Sequence, residues 1–192
     1  MPNVFAFLTY VAVTTFTPGP NNIMSMSNAS RFGFRRSMRF TWGVGAGFFL
    51  VVGSAIAFTI VLYRVIPTIK PVMTVIGAAY ILWLAWKTLT TSLHDEDAAG
   101  QSTFLSGMLL QFLNPKAILY GITVASTFIV PYYHSTIVQV GFAAALALVS
   151  VVSTSCWALF GSVFRRFMAK NQRVVGYVMA ALLVYCAVSL FL

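Results

Sequence analysis

Apolar residues in this 192-residue chain come in long runs broken by short polar pieces, and each run approaches the roughly 20 residues that cross a bilayer. The first covers about Val4 to Asn28 and the second about Phe40 to Tyr63, with a loop of four arginines, Arg31 to Arg39, between them. A turn from Arg64 to Pro71 leads to a third run, about Val72 to Thr90. The longest polar piece, Thr91 to Thr103, precedes a fourth run from about Phe104 to Val130. After the turn Pro131–Ser135, a fifth extends from about Ile137 to Val163. A second basic loop, with Arg165, Arg166, Lys170 and Arg173, leads to the last run, about Val174 to Leu192. The pattern predicts an all-α membrane protein of six transmembrane helices in one domain, residues 1–192. It divides into halves of three helices, about 1–90 and 104–192, joined by the linker 91–103. An odd number of spans per half inverts the second half relative to the first, giving two inverted repeats.

Two of the runs cannot be continuous helix. Thr17-Pro18-Gly19-Pro20-Asn21-Asn22 interrupts the first: each proline lacks an N–H, Gly19 does not stiffen the turn, and the residues before proline are pushed out of the helical region. Asn114-Pro115-Lys116 interrupts the fourth. Each break falls about ten to fifteen residues into its span, near the membrane midplane at 1.5 Å per residue. Backbone groups freed there must be buried in protein or line a wet cavity. Paired polar interruptions at matching places in two halves point to a solute site. Helices 1 and 4 are therefore expected to be broken and to meet.

Composition agrees with a membrane protein: 59% of residues are hydrophobic and 8% charged, with a mean hydropathy of +0.88. The net charge of +9 then reads as topology and lipid contact, not nucleic-acid binding. With the N-terminus outside, the cytoplasmic loops collect Arg31, Arg35, Arg36, Arg39, Lys87, Arg165, Arg166, Lys170 and Arg173, against Arg64 and Lys70 outside. That bias predicts both termini on the outer side, and it puts Trp42, Trp83, Trp86 and Trp157 towards the cytoplasmic half. The first run has no basic leader or cleavage signature and is read as a retained span. Cys156 and Cys186 lie in apolar runs and are read as buried small hydrophobes. His94 beside Asp95, Glu96 and Asp97 is read as a solvated loop, so no metal is expected. Gly43 and Gly47 form a GxxxG face, suited to close helix packing within the chain or in a homodimer.

Lys116 is the one charged residue deep in a predicted span, and an intramembrane charge is costly enough to need a reason. Either it snorkels or pairs with helix carbonyls, or it faces the cavity and meets an anionic group of a solute. The spans hold no carboxylate, which disfavours a cationic solute such as a metal ion or polyamine. A zwitterion suits the residues better. A half-helix starting near Asn21 offers N–H groups to a carboxylate, with Lys116 adding charge. Carbonyls around Thr17, Pro18, Gly19 and Pro20, with Asn22 and Asn114, suit an ammonium. Gln111, one turn before the second break, is a further polar candidate. The candidate substrate-binding set is Thr17, Pro18, Gly19, Pro20, Asn21, Asn22, Gln111, Asn114, Pro115 and Lys116. No catalytic set is expected: the histidines, His94 and His134, lie in opposite loops, so an enzyme is disfavoured.

"TPGPNN" in the first span, the Gly33/Arg35 loop leading into "GVGAG", "GAAYILWLAWK" in the third and "NPK" in the fourth resemble the LysE/RhtB family of amino-acid exporters, over nearly the whole chain. "ILYGITVASTF", "CWALFGSVFRR" and "LLVYCAVSLF" resemble its cysteine/O-acetylserine branch. Ser37 stands where many relatives carry glycine. The resemblance implies a multi-pass protein of the bacterial inner membrane that exports cysteine, O-acetylserine or related small neutral amino acids by alternating access. It implies no cofactor and a drive from the proton-motive force. Export of another amino acid, of the homoserine/threonine or leucine type, or a passive channel, remains the alternative.

Overall fold

The computed structural model describes residues 4–59, 75–76, 78–86, 89 and 103–188. Among these the chain is helical apart from short breaks and turns, with no strand: α1 (Val4–Phe16), α2 (Pro20–Phe32), α3 (Phe34–Ala57), α4 (residues 78–86), α5 (Phe104–Leu113), α6 (Pro115–Val124), α7 (Thr136–Val163), α8 (Arg165–Lys170) and α9 (Gln172–Val188). A wide π turn, Ala125–Ile129, continues α6. By length and apolarity α3 and α7 can each cross a membrane, and α5 with α6, bent by 69° at the break, is long and apolar enough to make a broken span or a re-entrant loop. The acidic stretch with His94, the turn around Pro67 and much of the third predicted span lie outside the described residues.

The boundaries depart from the sequence expectation in three places. The arginine-rich piece is not a loop: Arg31 ends α2, Arg35, Arg36 and Arg39 lie in α3, and Gly33 alone joins the two helices. Gly33 sits at φ 83°, which glycine adopts without penalty, and arginine is a good helix former, so the charged piece is helical on both sides of a one-residue turn. The second basic loop likewise contains the short helix α8. Thirdly, the second half of the first run is not an apolar half-span. α2 is polar (PNNIMSMSNASRF), and ten of its residues are buried against α3, α7 and α9. Protein, not lipid, surrounds its Ser25, Ser27, Asn28 and Ser30. Ser37 joins the same polar zone, its hydroxyl donating to the Ser25 carbonyl at 3.2 Å.

Small residues hold the spans together. A Cβ on Gly43 would strike the Phe104 carbonyl, one on Gly47 would crowd Met108 and Gln111, and one on Gly107 would strike the Phe40 carbonyl. The GxxxG face is thus filled by α5 of the same chain. Thr103 opens α5 with a capping box, its Oγ1 accepting from Ser106 N at 3.1 Å while Ser106 Oγ accepts from Thr103 N at 3.2 Å.

Two apolar cores lie on either side of the breaks. One gathers Ile23 and Met26 of α2, Phe40 and Val44 of α3, Ile81 of α4, Leu110 of α5 and Leu183 of α9. The other gathers Phe7 and Val11 of α1, Val52 and Ile56 of α3, Val124 of α6 and Leu146 of α7. α3 runs through both. Phe104 lies against Gly43 and Phe128 against Phe7, so the α5–α6 element runs opposite in direction to α1–α2. α8 touches α2, and Gly161 abuts the Met26 carbonyl, which brings the two basic clusters to one end of the molecule. Cys186 is buried in the first core; Cys156 is exposed on α7, contrary to the expectation that both are enclosed, and no disulfide joins them.

Candidate functional site

The first break leaves a run of carbonyls without helical donors. Gly19 is fully extended (φ −170°, ψ 172°) and caps α2, whose first residue is Pro20. Every carbonyl from Thr14 to Pro18 finds a side-chain donor instead. Thr17 Oγ1 donates to Thr14 O at 3.2 Å, and Asn22 Nδ2 donates to Thr15 O and Thr17 O, both at 2.9 Å. Ser153 Oγ gives a second bond to Thr15 O at 2.9 Å, and Trp157 Nε1 donates to Phe16 O at 3.3 Å. Lys116 Nζ donates to Thr17 Oγ1 at 3.0 Å and to the Thr17 and Pro18 carbonyls at 3.4 Å. Backbone freed inside a membrane protein must be satisfied, and side chains from α2, α6 and α7 do so here.

The second break is one residue wide. Asn114 is extended (φ −94°, ψ 100°), and its Oδ1 accepts from Lys116 N at 3.1 Å, capping α6. Pro115 occupies the first helical position, where its missing N–H is harmless. This side sends donors outward. Asn21 and Gln111 form a reciprocal amide pair: Asn21 Nδ2 donates to Gln111 Oε1 at 2.9 Å, and Gln111 Nε2 to Asn21 Oδ1 at 3.0 Å. Asn114 Nδ2 also donates to Asn21 Oδ1, at 3.2 Å. Four links, through Asn21–Gln111, Asn21–Asn114, Lys116–Thr17 and Lys116–Pro18, therefore tie the breaks together.

Between them lies a small cavity of about 40 Å³, open to a mouth. Gly19, Pro20, Asn21, Asn22, Asn114 and Lys116 line it. Of the other sequence candidates, Gln111 and Pro115 are buried behind the wall, and the side chains of Thr17 and Pro18 are exposed beyond it. Phe48 and Ser150 mark its depth: each lies about 21 Å along its helix at 1.5 Å per residue, the middle of the 24-residue α3 and the 28-residue α7. Lys116 is the one charged residue on the wall, and every acidic residue of the chain falls at Asp95, Glu96 or Asp97, outside the described residues.

Two features were not anticipated. Thr14, Thr15, Tyr120 and Ser150 also line the cavity, and Ser153 reaches into the first break. A signal existed: Tyr120 follows Lys116 by four residues, and Ser150, Ser153 and Thr154 repeat at three and four, the spacing of one helix face. The lysine is also already engaged. It holds the very carbonyls read from the sequence as a seat for a solute ammonium.

The sequence model of the LysE type translocator family matches residues 5–192. The chain belongs to the LysE translocator family. Among its LysE-family relatives, the cysteine/O-acetylserine efflux protein of Salmonella typhimurium (strain LT2) is 42% identical over 187 residues, 97% of this chain and 96% of the relative. The protein of the same name in Escherichia coli (strain K12) is 39% identical over the same shares. No solved structure matches the chain. LysE membership and the apolar helices together make this a multi-pass membrane protein and a transporter.

Proposed function

We propose that this protein exports cysteine and O-acetylserine from the cytoplasm, as a secondary transporter of the inner membrane. The observation that carries the substrate is near full-length identity, 42% and 39%, to relatives named for efflux of those compounds. The site's chemistry supports it. A zwitterion needs a cation and a set of acceptors but no membrane carboxylate, which is what the cavity offers. Within one transporter domain, the opposed directions of α1–α2 and α5–α6 support six spans arranged as two inverted repeats, one half rocking against the other. The end bearing Arg35, Arg39, Arg166 and Arg173 faces the cytoplasm, and both termini lie outside.

The engagement of Lys116 suggests how binding works. In this conformation its ammonium occupies the Thr17 and Pro18 carbonyls, as a stand-in for the substrate's own. An arriving amino acid draws Lys116 to its carboxylate and places its ammonium on the vacated carbonyls. The exchange keeps every charge paired throughout, which matters where an unpaired charge is costly.

The test is export from the full chain reconstituted in vesicles preloaded with cysteine under reductant. Export against a gradient supports the reading and excludes a channel; loss of uphill export on adding a protonophore supports proton coupling. Cysteine retained in loaded vesicles, with another amino acid enriched in the medium of overexpressing cells, moves the substrate to the homoserine/threonine or leucine type.

A further inference from the structure

The cavity has two chemically different ends. Lys116 and Asn22 form the charged one. Phe48, Tyr120 and Ser150 build the other, and Thr15 lies between them, its carbonyl held by Asn22 and its hydroxyl beside Tyr120. Tyr120 is 3% exposed and held rigidly, its ring stacked on Tyr10 with centroids 5.5 Å apart and tilted against Phe48 at 5.1 Å. Its hydroxyl and Thr15 Oγ1 are both buried and lie beside one another, with no partner among the other described residues, so a bond between them still leaves one hydroxyl proton unused. An unsatisfied buried hydroxyl costs about 1–3 kcal/mol, and an apolar isostere would remove that cost. Two such groups side by side, where the second apolar core meets the wall of a cavity, have the form of a recognition site.

We infer that this end is the side-chain subsite, in which Tyr120 and Thr15 hydrogen-bond a short side chain carrying a thiol, hydroxyl or ester oxygen. The inference rests on the export reading above and deepens it. With the zwitterion at Lys116 and the first break, a side chain only a few atoms long reaches the two hydroxyls. The aromatic walls accept a thiol or an acetyl group, both of which are largely apolar. An apolar side chain of the same size enters but leaves that hydroxyl proton unused. A site built to hydrogen-bond its substrate discriminates most strongly in that way.

The experiment measures competition in vesicles containing the purified full chain, with labelled cysteine under reductant. The competitors are O-acetylserine and 2-aminobutyrate, which matches cysteine in shape but carries a methyl in place of the thiol. Wild type is expected to favour cysteine and O-acetylserine over 2-aminobutyrate. The double variant Tyr120→Phe, Thr15→Val keeps the ring and the shape. It should raise the half-saturating concentrations of cysteine and O-acetylserine about tenfold, the scale of the hydrogen bonds removed, and leave that of 2-aminobutyrate unchanged. An unchanged ratio of cysteine to 2-aminobutyrate, or equal weakening of all three, overturns the inference while export stands. If wild type moves none of the three, the export reading falls and the subsite with it.

Discussion

The two breaks look alike in sequence, each a proline flanked by asparagine, yet their chemistry is opposite. The first is wide and rich in acceptors: five successive carbonyls, Thr14 to Pro18, depend on side-chain donors, and only Thr14 finds its donor between the two half-helices, at Thr17 Oγ1. The second is one residue wide, caps itself through Asn114, and projects donors from Lys116 and Asn114. Two prolines two residues apart strip more helical hydrogen bonds than one proline at a helix start, where the N–H is unused anyway. The difference shows how repeated halves can build one asymmetric site. A zwitterion has a cationic and an anionic end, and two equivalent breaks would serve one end poorly.

Breaking the strongest link should have the largest effect. Lys116→Met keeps the length of the stem and removes the ammonium, leaving the Pro18 carbonyl without its donor. We expect export to fall at least about a hundredfold, the equivalent of roughly 3 kcal/mol for a lost charge-assisted contact, while the protein still inserts. Initial rates in loaded vesicles, alongside membrane-fraction abundance, check this. Near-normal export would show that Lys116 serves only to satisfy the break.

The amide pair is the next link. Asn21→Ala removes the donor to Gln111 Oε1 and Gln111→Ala the acceptor of Asn21 Nδ2, so each single variant should lose export and stability, by about 1–3 kcal/mol in thermal unfolding in detergent. The double variant should cost clearly less than the sum, with a coupling of about 0.5–3 kcal/mol. Additive losses would mean that the pair does not tie the two breaks together.

Both breaks were legible in the sequence because proline, glycine and asparagine act locally: their effect on the backbone needs no knowledge of the fold. That they meet followed from counting spans, and nine of the ten candidate residues do take part in the links or the wall, Pro115 serving only to start α6. The pairing of Asn21 with Gln111 was not legible, since 90 residues separate them and an amide in an apolar run has many possible partners. Thr15 and Ser153 were missed for a different reason, because serine and threonine within helices commonly bond their own backbone, and Tyr120 was missed although its spacing from Lys116 put the two on one face. Hydropathy also misread α2. It separates water from lipid, and α2 is surrounded by neither, so a polar helix buried among α3, α7 and α9 resembles the end of an apolar span.

Asn114 allows the two roles of the second break to be separated. Asn114→Ala removes the cap and should cost about 1 kcal/mol of stability, read as a lower unfolding temperature. Asn114→Asp keeps an acceptor for Lys116 N and so most of that stability. It loses the donor to Asn21 and sets a carboxylate beside the Lys116 ammonium, so export should fall although the fold holds. Equal stability losses in the two variants would show that the cap contributes little.

The smallest effect is expected at Gly19, and its sign is informative. Gly19 is extended, a conformation any residue adopts, so alanine brings no backbone strain there. A Cβ would lie 3.1 Å from Lys116 Nζ and 3.3 Å from Lys116 Cδ, the far end of a flexible side chain that can shift by a few tenths of an ångström. Gly19→Ala should raise stability by about 0.4–1 kcal/mol, because it narrows the unfolded ensemble at a compatible site. By crowding the ammonium it also loosens Lys116 from the Thr17 and Pro18 carbonyls. If Lys116 must leave those carbonyls for a substrate to bind, the variant should bind cysteine slightly more tightly, by about twofold, well under the worth of one hydrogen bond. Weaker binding, measured as a raised half-saturating concentration, would instead mean that Lys116 works from where it sits, and that the carbonyls of the first break never receive the substrate.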